Sequence, residues 1–212
     1  MKTGYNARSW GEPIRMTVEV DRRTIKPEAL ETLRKTILEI FSSGMYQDVG
    51  IRQICQQARV SPQTVYKYFG NKEEMLYACI KGDLENLYAE AMQAAREAES
   101  TVDKCLAFLD IWCEFYFANP SIARIVFLNI PQAYWMGQTQ FTHVALHDET
   151  TRIIADGQSE GTVWDETSAE LLGQAIMGMA HRLLTRWLMT DKVSGEETKQ
   201  ALAKSIKKLL QP

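Results

Sequence analysis

From Pro27 onward the apolar residues of this chain recur at three- and four-residue steps, a period that admits little besides α-helix. Ala, Leu, Glu, Gln, Lys and Arg dominate the same stretches, so intrinsic propensity agrees with the pattern. Strand-like alternation is confined to Met16-Thr17-Val18-Glu19-Val20, which is short and precedes the compact region. The expected fold class is therefore all-α. A length of 212 residues, 45% hydrophobic, is enough to bury one good core or a small domain beside a larger one. No run of about 18 apolar residues occurs, so no membrane-spanning helix is expected. Met1 to Val20 lacks the continuous apolar stretch of a signal peptide, which makes a cytoplasmic location the expectation. Cys55, Cys79, Cys105 and Cys113 form no CxxC pair and fall on apolar helical positions. They read as buried free thiols, and neither a metal centre nor a cofactor is expected.

Boundary signals divide the helical pattern. A first helix begins at Pro27, carries Leu30, Leu33, Ile37, Ile40 and Phe41 on one face, and ends in Ser42-Ser43-Gly44. A second runs from about Ile51 to Ala58, burying Ile51, Ile54, Cys55 and Ala58. Arg59-Val60 turns the chain, Ser61 reads as an N-cap with Pro62 behind it, and a third helix reaches Phe69 before Gly70. Asn71 caps a long helix to about Glu97, with Glu73 and Glu74 where the helix dipole favours negative charge. Another helix starts at Ser100 or Thr101 and is stopped at Asn119 by Pro120. A short helix to about Asn129, an irregular stretch from Pro131 to Gly137 and a helix from about Thr139 to Ala155 follow. Gly157 to Trp164 reads as a loop, and helices Thr167 to Met189 and Gly195 to Leu210 close the chain.

Two short helices joined by a tight turn, with a third packed across them, make a helix-turn-helix. Ile54, Ala58, Val60, Val65 and Phe69 would supply its mutual packing. The outward residues of the third helix are Gln63, Thr64, Tyr66, Lys67 and Tyr68, whose amide, hydroxyl and ammonium groups suit base edges and phosphates. Lys72 stands at a helix start, where backbone N–H groups also favour a phosphate. On composition alone this set reads equally as a solvated polar face. Charge points the same way as the chemistry. Residues 1–80 hold 12 Lys/Arg against 9 Asp/Glu, and residues 81–212 hold 12 against 18.

The stretch Ile37 to Leu76, ILEIFSSGMYQDVGIRQICQQARVSPQTVYKYFGNKEEML, resembles the tetracycline-repressor (TetR) family's DNA-binding domain almost throughout. The likeness rests on Phe41, Gly44, Ile54, Ala58, Val60-Ser61, Thr64-Val65-Tyr66, Tyr68-Phe69 and Lys72-Glu73. It implies a transcriptional regulator, not an enzyme. Residues 1–26 would be an N-terminal extension, 27–75 the DNA-binding domain and 76–212 a helical effector-binding and dimerisation domain. Ser61, Thr64, Tyr66, Tyr68 and Lys72 would hold phosphates of a double-stranded operator. Gln63 and Lys67 would read bases, Pro62 would touch a thymine methyl, and Arg52 would reach the backbone or an adjacent base. Two positions depart from the family pattern: Arg59 stands where Gly is usual in the turn, and Gly50 where Thr or Ser is common. The extension carries Lys2, Arg8, Arg15, Arg22 and Arg23, either an arm for a minor groove or a loose tail, and Met16 offers an alternative start.

The resemblance further implies a homodimer through the last two helices and a repressor released from a palindromic operator by a small molecule. Leu172, Ile176, Met179, Leu183 and Trp187 form one stripe, and Gly173, Ala175, Gly178 and Ala180 would let another helix approach. Pocket candidates for a hydrophobic or aromatic effector are Trp112, Phe115, Tyr116, Phe127, Tyr134, Trp135, Phe141, Met177 and His181, each of which also suits plain core packing. His143 and His147 have the i, i+4 spacing of metal ligands but no evident third ligand, so no metal is expected. Two rival readings remain: an all-helical enzyme using Asp110, Glu114 and His181, and a DNA-binding factor with no small ligand.

Overall fold

The computed structural model describes residues 25–42, 48–131, 142–190 and 192–211, with only the backbone for 142–147. Its elements are α1 (Pro27–Phe41), α2 (Ile51–Ala58), α3 (Pro62–Phe69), α4 (Lys72–Glu97), α5 (Thr101–Ala118), α6 (Pro120–Arg124), a π-helical turn (Ile125–Asn129), α7 (Thr142–Ser159), α8 (Ala169–Met189) and α9 (Gly195–Leu210). Every regular element among the described residues is helical, as the periodicity requires. None of these helices is long and apolar enough to cross a membrane. Residues 1–24 of the extension, with the strand-like segment at 16–20, and Tyr134, Trp135 and Phe141 lie outside the described residues, as do the side chains of His143 and His147.

Helix α1 buries Leu33, Ile37 and Phe41 completely. Against them lie α2 and the first turns of α4, whose Met75, Leu76 and Ile80 are also fully buried. Farther along, α4 turns Leu84, Leu87, Tyr88, Ala91 and Ala95 onto α5, so this one helix belongs to the cores of both ends of the molecule. A forked ion pair reinforces the first contact: the Arg34 guanidinium of α1 donates to both carboxylate oxygens of Asp83 on α4, at 3.0 and 2.9 Å. Helix α6 also packs against α1, a second link between the two ends.

At the far end α5 is flanked by α4, α7 and α9, which is why its apolar arc is so wide. Helix α9 is set by a capping box, in which Ser194 Oγ accepts the Glu197 N–H and the Glu197 carboxylate accepts the Ser194 N–H. Leu202 and Ile206 then bury against the bundle, while Lys199 pairs with Asp110 at 3.0 Å and with Glu114, both on α5.

Three details differ from the sequence-based expectation. The short helix after Pro120 widens into a π turn, closed by Ile130 N–H to the Ile125 carbonyl at 2.9 Å, and the Asn129 amide donates to the Arg124 carbonyl. Helix α7 runs on through Gly157 to Ser159, where a loop was expected. A Cβ at Gly157 would stand 2.7 Å from both Thr101 and Val163, so glycine is retained there for close approach to the start of α5. Helix α8 starts at Ala169 because the hydroxyl of Ser168, not an earlier residue, accepts the Leu171 N–H. The four cysteines are free. Burial pushes Cys79 and Cys113 up to about 12 and Cys105 to about 11, so these three are thiols at neutral pH.

Candidate DNA-binding surface and effector cleft

The turn between α2 and α3 is closed by backbone geometry first. Arg59 caps α2 in the left-handed conformation, φ 54° and ψ 36°, and the Val60 N–H reaches the Cys55 carbonyl at 3.0 Å. A non-glycine residue pays a steric penalty in that region of about 1–2 kcal/mol. At the other end of α2, Gly50 is the N-cap, extended and without a side-chain cap bond. Ser61 then starts α3: its Oγ accepts the Thr64 N–H at 3.0 Å and lies 2.8 Å from the Thr64 hydroxyl. Ile54, Cys55 and Ala58 of α2 and Val65 of α3 are buried against the rest of the head. Gly70, at φ 76°, ends α3, and Asn71 Oδ1 accepts the Glu74 N–H to begin α4.

This packing leaves Arg52, Ser61, Pro62, Gln63, Tyr66 and Lys67 exposed, with Thr64 and Tyr68 half-buried beside them. Tyr66 is 55% exposed, a large aromatic side chain with no place in the core. Lys67 Nζ stands 5.9 Å from the Tyr68 ring centre. Lys72 is placed differently from the other eight site candidates. Its ammonium donates to the Val49 carbonyl, lies 5.7 Å from the Phe41 ring centre, and has its pKa lowered by burial. It ties the start of α4 to the residue ahead of the α2 N-cap. From Val49 to Lys72 the sequence holds four basic residues and no acid.

In the larger helical part, the sequence-picked aromatic residues come together on one another. Trp112, Tyr116 and Phe127 are nearly fully buried, and each meets the other two edge-on at centroid distances of 4.8–5.6 Å. Phe115 packs edge-on to Tyr116 at 5.2 Å, and the His181 ring to Phe127 at 5.3 Å. Burial lowers the His181 pKa and raises that of the Tyr116 phenol.

One turn away along the same helices the packing opens. A narrow cleft, open to solvent at its mouth, lies between α5, α7 and α8. Cys105, Phe108 and Leu109 line it from α5, Ile153 and Ile154 from α7, Ile176 and Met177 from α8. Lys104 and Thr150 are its polar lining, and Gly173 leaves space where a side chain would enter. Of the sequence-picked pocket residues, Met177 lines this cleft. Of the other described candidates, Trp112, Tyr116 and Phe127 pack in the neighbouring core layer. The signal that could have found the cleft is the small Gly173 opposite the wide apolar arc of α5. Asp110 and Glu114 converge on Lys199, away from His181. Among the described residues no group of three or more His, Cys, Asp or Glu side chains could hold a metal.

Two short helices meeting at a capped turn, braced by α1 and α4 and presenting a basic, acid-free surface, define a helix-turn-helix DNA-binding protein. Residues 33–79 match the family model of the bacterial regulatory proteins, tetR family, a match that covers the helix-turn-helix head of the chain. The fatty acid metabolism regulator protein of Bacillus subtilis is 20% identical over 169 residues, 79% of this chain and 87% of that one. Among solved structures, the fatty acid degradation regulator FadR from Bacillus halodurans superposes with a TM-score of 0.67 at 19% identity, covering 88% of this chain and 96% of that chain. The FadR of Bacillus subtilis in complex with stearoyl-CoA gives a TM-score of 0.67 at 20% identity, covering 85% and 96%. At such identities these likenesses establish the shared fold.

Proposed function

We propose that this regulator is a homodimeric repressor that leaves a palindromic operator when a long-chain acyl compound enters the cleft between α5, α7 and α8. The observation that carries the effector assignment is the cleft itself: an apolar slot with one cation, Lys104, in its lining. Apart from Lys104 and Thr150 the lining is apolar, and the lone ammonium suits the polar head of an amphiphile. The stearoyl-CoA held by the similar Bacillus subtilis regulator supports that chemical class.

On the DNA side, Gln63 and Lys67 read bases, Pro62 meets a thymine methyl, and Arg52, Ser61, Thr64, Tyr66 and Tyr68 hold phosphates. Lys72 serves by positioning α4 against the α2 N-terminus. The working units are the head at 27–75 and the helical body at 76–212, with α4 shared between them. Dimerisation uses α8 and α9. Leu171, Ala175, Gly178, Arg182 and Met189 recur along one exposed face of α8, and Leu171 and Met189 are 62% and 57% exposed. Two recognition helices held by such an interface enter successive major grooves, which gives the contact area that one eight-residue helix lacks.

Coupling follows from the shared helices. The cleft is walled by α5, which packs along α4, and α4 is clamped to α1 by Arg34 and Asp83. An effector that binds better when α5 and α7 are spread favours a tilted α4 and a head spacing that misses successive grooves. The test is release of a fluorescent operator duplex by stearoyl-CoA, decanoyl-CoA and free CoA. Release by the long acyl chain and not by CoA is the expected result. Equal release by all three, or by none, refutes the assignment.

A further inference from the structure

Arg59 is the single non-glycine residue at positive φ among the described residues, and the turn it occupies would close around glycine without steric cost. Nothing in the fold accounts for an arginine there. Its side chain is exposed and makes no hydrogen bond or ion pair with the described residues. What surrounds it is instructive. The 24 residues from Val49 to Lys72 include Arg52, Arg59, Lys67 and Lys72 and not one acid, with Asp48 and Glu73 just outside. On α2, Arg52 and Gln56 are four residues apart and both exposed, so they share a face, and Arg59 follows three residues on. From 52 to 59 is about 10 Å along the helix. The turn also lies two residues ahead of Ser61, which opens the recognition helix. A duplex that admits the first turn of α3 into its groove brings the flanking backbone against that turn.

We propose that Arg59 is a DNA-phosphate contact, which extends the edge of α2 that meets the duplex from Arg52 through Gln56 to the turn. This rests on the DNA-binding reading of the head. A long, always-charged side chain is what a phosphate at the rim of a groove requires, and it accounts for a backbone conformation that glycine would adopt more easily. The contact is to the sugar-phosphate chain, so it adds affinity without sequence preference.

The experiment measures binding of the full chain to an operator duplex and to a scrambled duplex across a salt series, for the wild type, Arg59→Asn, Arg59→Lys and Arg59→Gly. Asparagine tolerates the left-handed conformation and removes the charge, which separates backbone from side chain. Expected for Arg59→Asn is a roughly three- to tenfold weaker affinity on both duplexes near 0.1 M salt, with the salt slope smaller by about 0.9 per subunit. Arg59→Lys keeps the wild-type slope. Arg59→Gly loses affinity like the asparagine variant while its melting temperature rises by about 2–4 °C. Wild-type affinity and slope in Arg59→Asn overturn the proposal while the DNA reading stands. A lower melting temperature in Arg59→Gly also overturns it, by showing that the arginine serves the turn. A wild type that binds neither duplex overturns the DNA reading, and this proposal with it.

Discussion

Val65→Ala separates the scaffold of the recognition helix from its contacts. Val65 is the one buried side chain of α3, fully inaccessible between α2 and α4, and α3 is eight residues long. A helix of that length does not hold itself together, so its docking depends on this anchor and on the Ser61 cap. Removing two buried carbons costs about 1.6 kcal/mol at ~0.8 kcal/mol each. Incomplete collapse of the space raises this toward ~2–3 kcal/mol, and the better helix propensity of alanine returns about 0.5 kcal/mol. The net of about 2 kcal/mol corresponds to a melting temperature lower by roughly 4–8 °C for a chain of this size. Urea unfolding followed by far-UV circular dichroism reads the change, with the midpoint shifted and the slope unchanged. Gln63→Ala is the counterpart. Gln63 is exposed, so stability stays within about 0.5 kcal/mol while the preference for the operator falls by about 1–3 kcal/mol. If Val65→Ala costs under about 0.5 kcal/mol, or Gln63→Ala lowers stability as much as it does, the division into buried anchor and free contact is refuted.

Other consequences follow from the body of the protein. Met177→Trp places an indole in the cleft and is expected to leave operator affinity within about twofold while abolishing release by stearoyl-CoA, as read by fluorescence anisotropy. Burial holds the His181 pKa below its ordinary 6.5, so the unfolded chain takes up the proton first as pH falls. The His181 contribution is therefore level above about pH 6.5, and stability declines as pH drops from there through the folded-state value. His181→Phe should flatten that decline in melting temperature between about pH 7 and 5, and an unchanged decline would assign it to other groups. Lys199→Ala removes the pairing of α9 with Asp110 and Glu114, whose side chains are each 56% exposed. The expected cost is up to about 1 kcal/mol, seen as a small fall in melting temperature that shrinks in high salt.

How far these features could be read in advance depended on how local their causes were. Helices α2, α3, α4 and α9 run between the residues expected because their ends are written in short signals: Ser61-Pro62, Gly70-Asn71, and Gly195 after Ser194. The left-handed turn at Arg59 has no such signal, because arginine disfavours that conformation and the position stood out only against the glycine usual in the family. Gly157 shows the limit. Its place inside α7 depends on Thr101 and Val163, and no window of sequence around it contains Thr101. The cleft is legible least of all. α5 is apolar around most of its circumference, so its sequence does not say which residues meet another side chain and which meet space. Trp112, Tyr116 and Phe127 fill their layer with interlocked rings, whereas one turn away Gly173 leaves room. A pocket is the residue of imperfect packing between three helices, and composition marks the bulky side chains that close it.

Specific binding to a palindromic DNA site, and release from it by an acyl ligand, can be read in one experiment. Bound fragments are selected from sheared genomic DNA of the source organism with the purified full chain. The best fragment is then titrated with salt and with long-chain acyl-CoA. Expected are an enriched inverted repeat with half-sites about one helical turn apart, affinity that falls steeply with salt, and release by the acyl compound. Recovery of no enriched sequence at moderate salt, or of a single half-site bound by one subunit and indifferent to acyl-CoA, would contradict the proposed function.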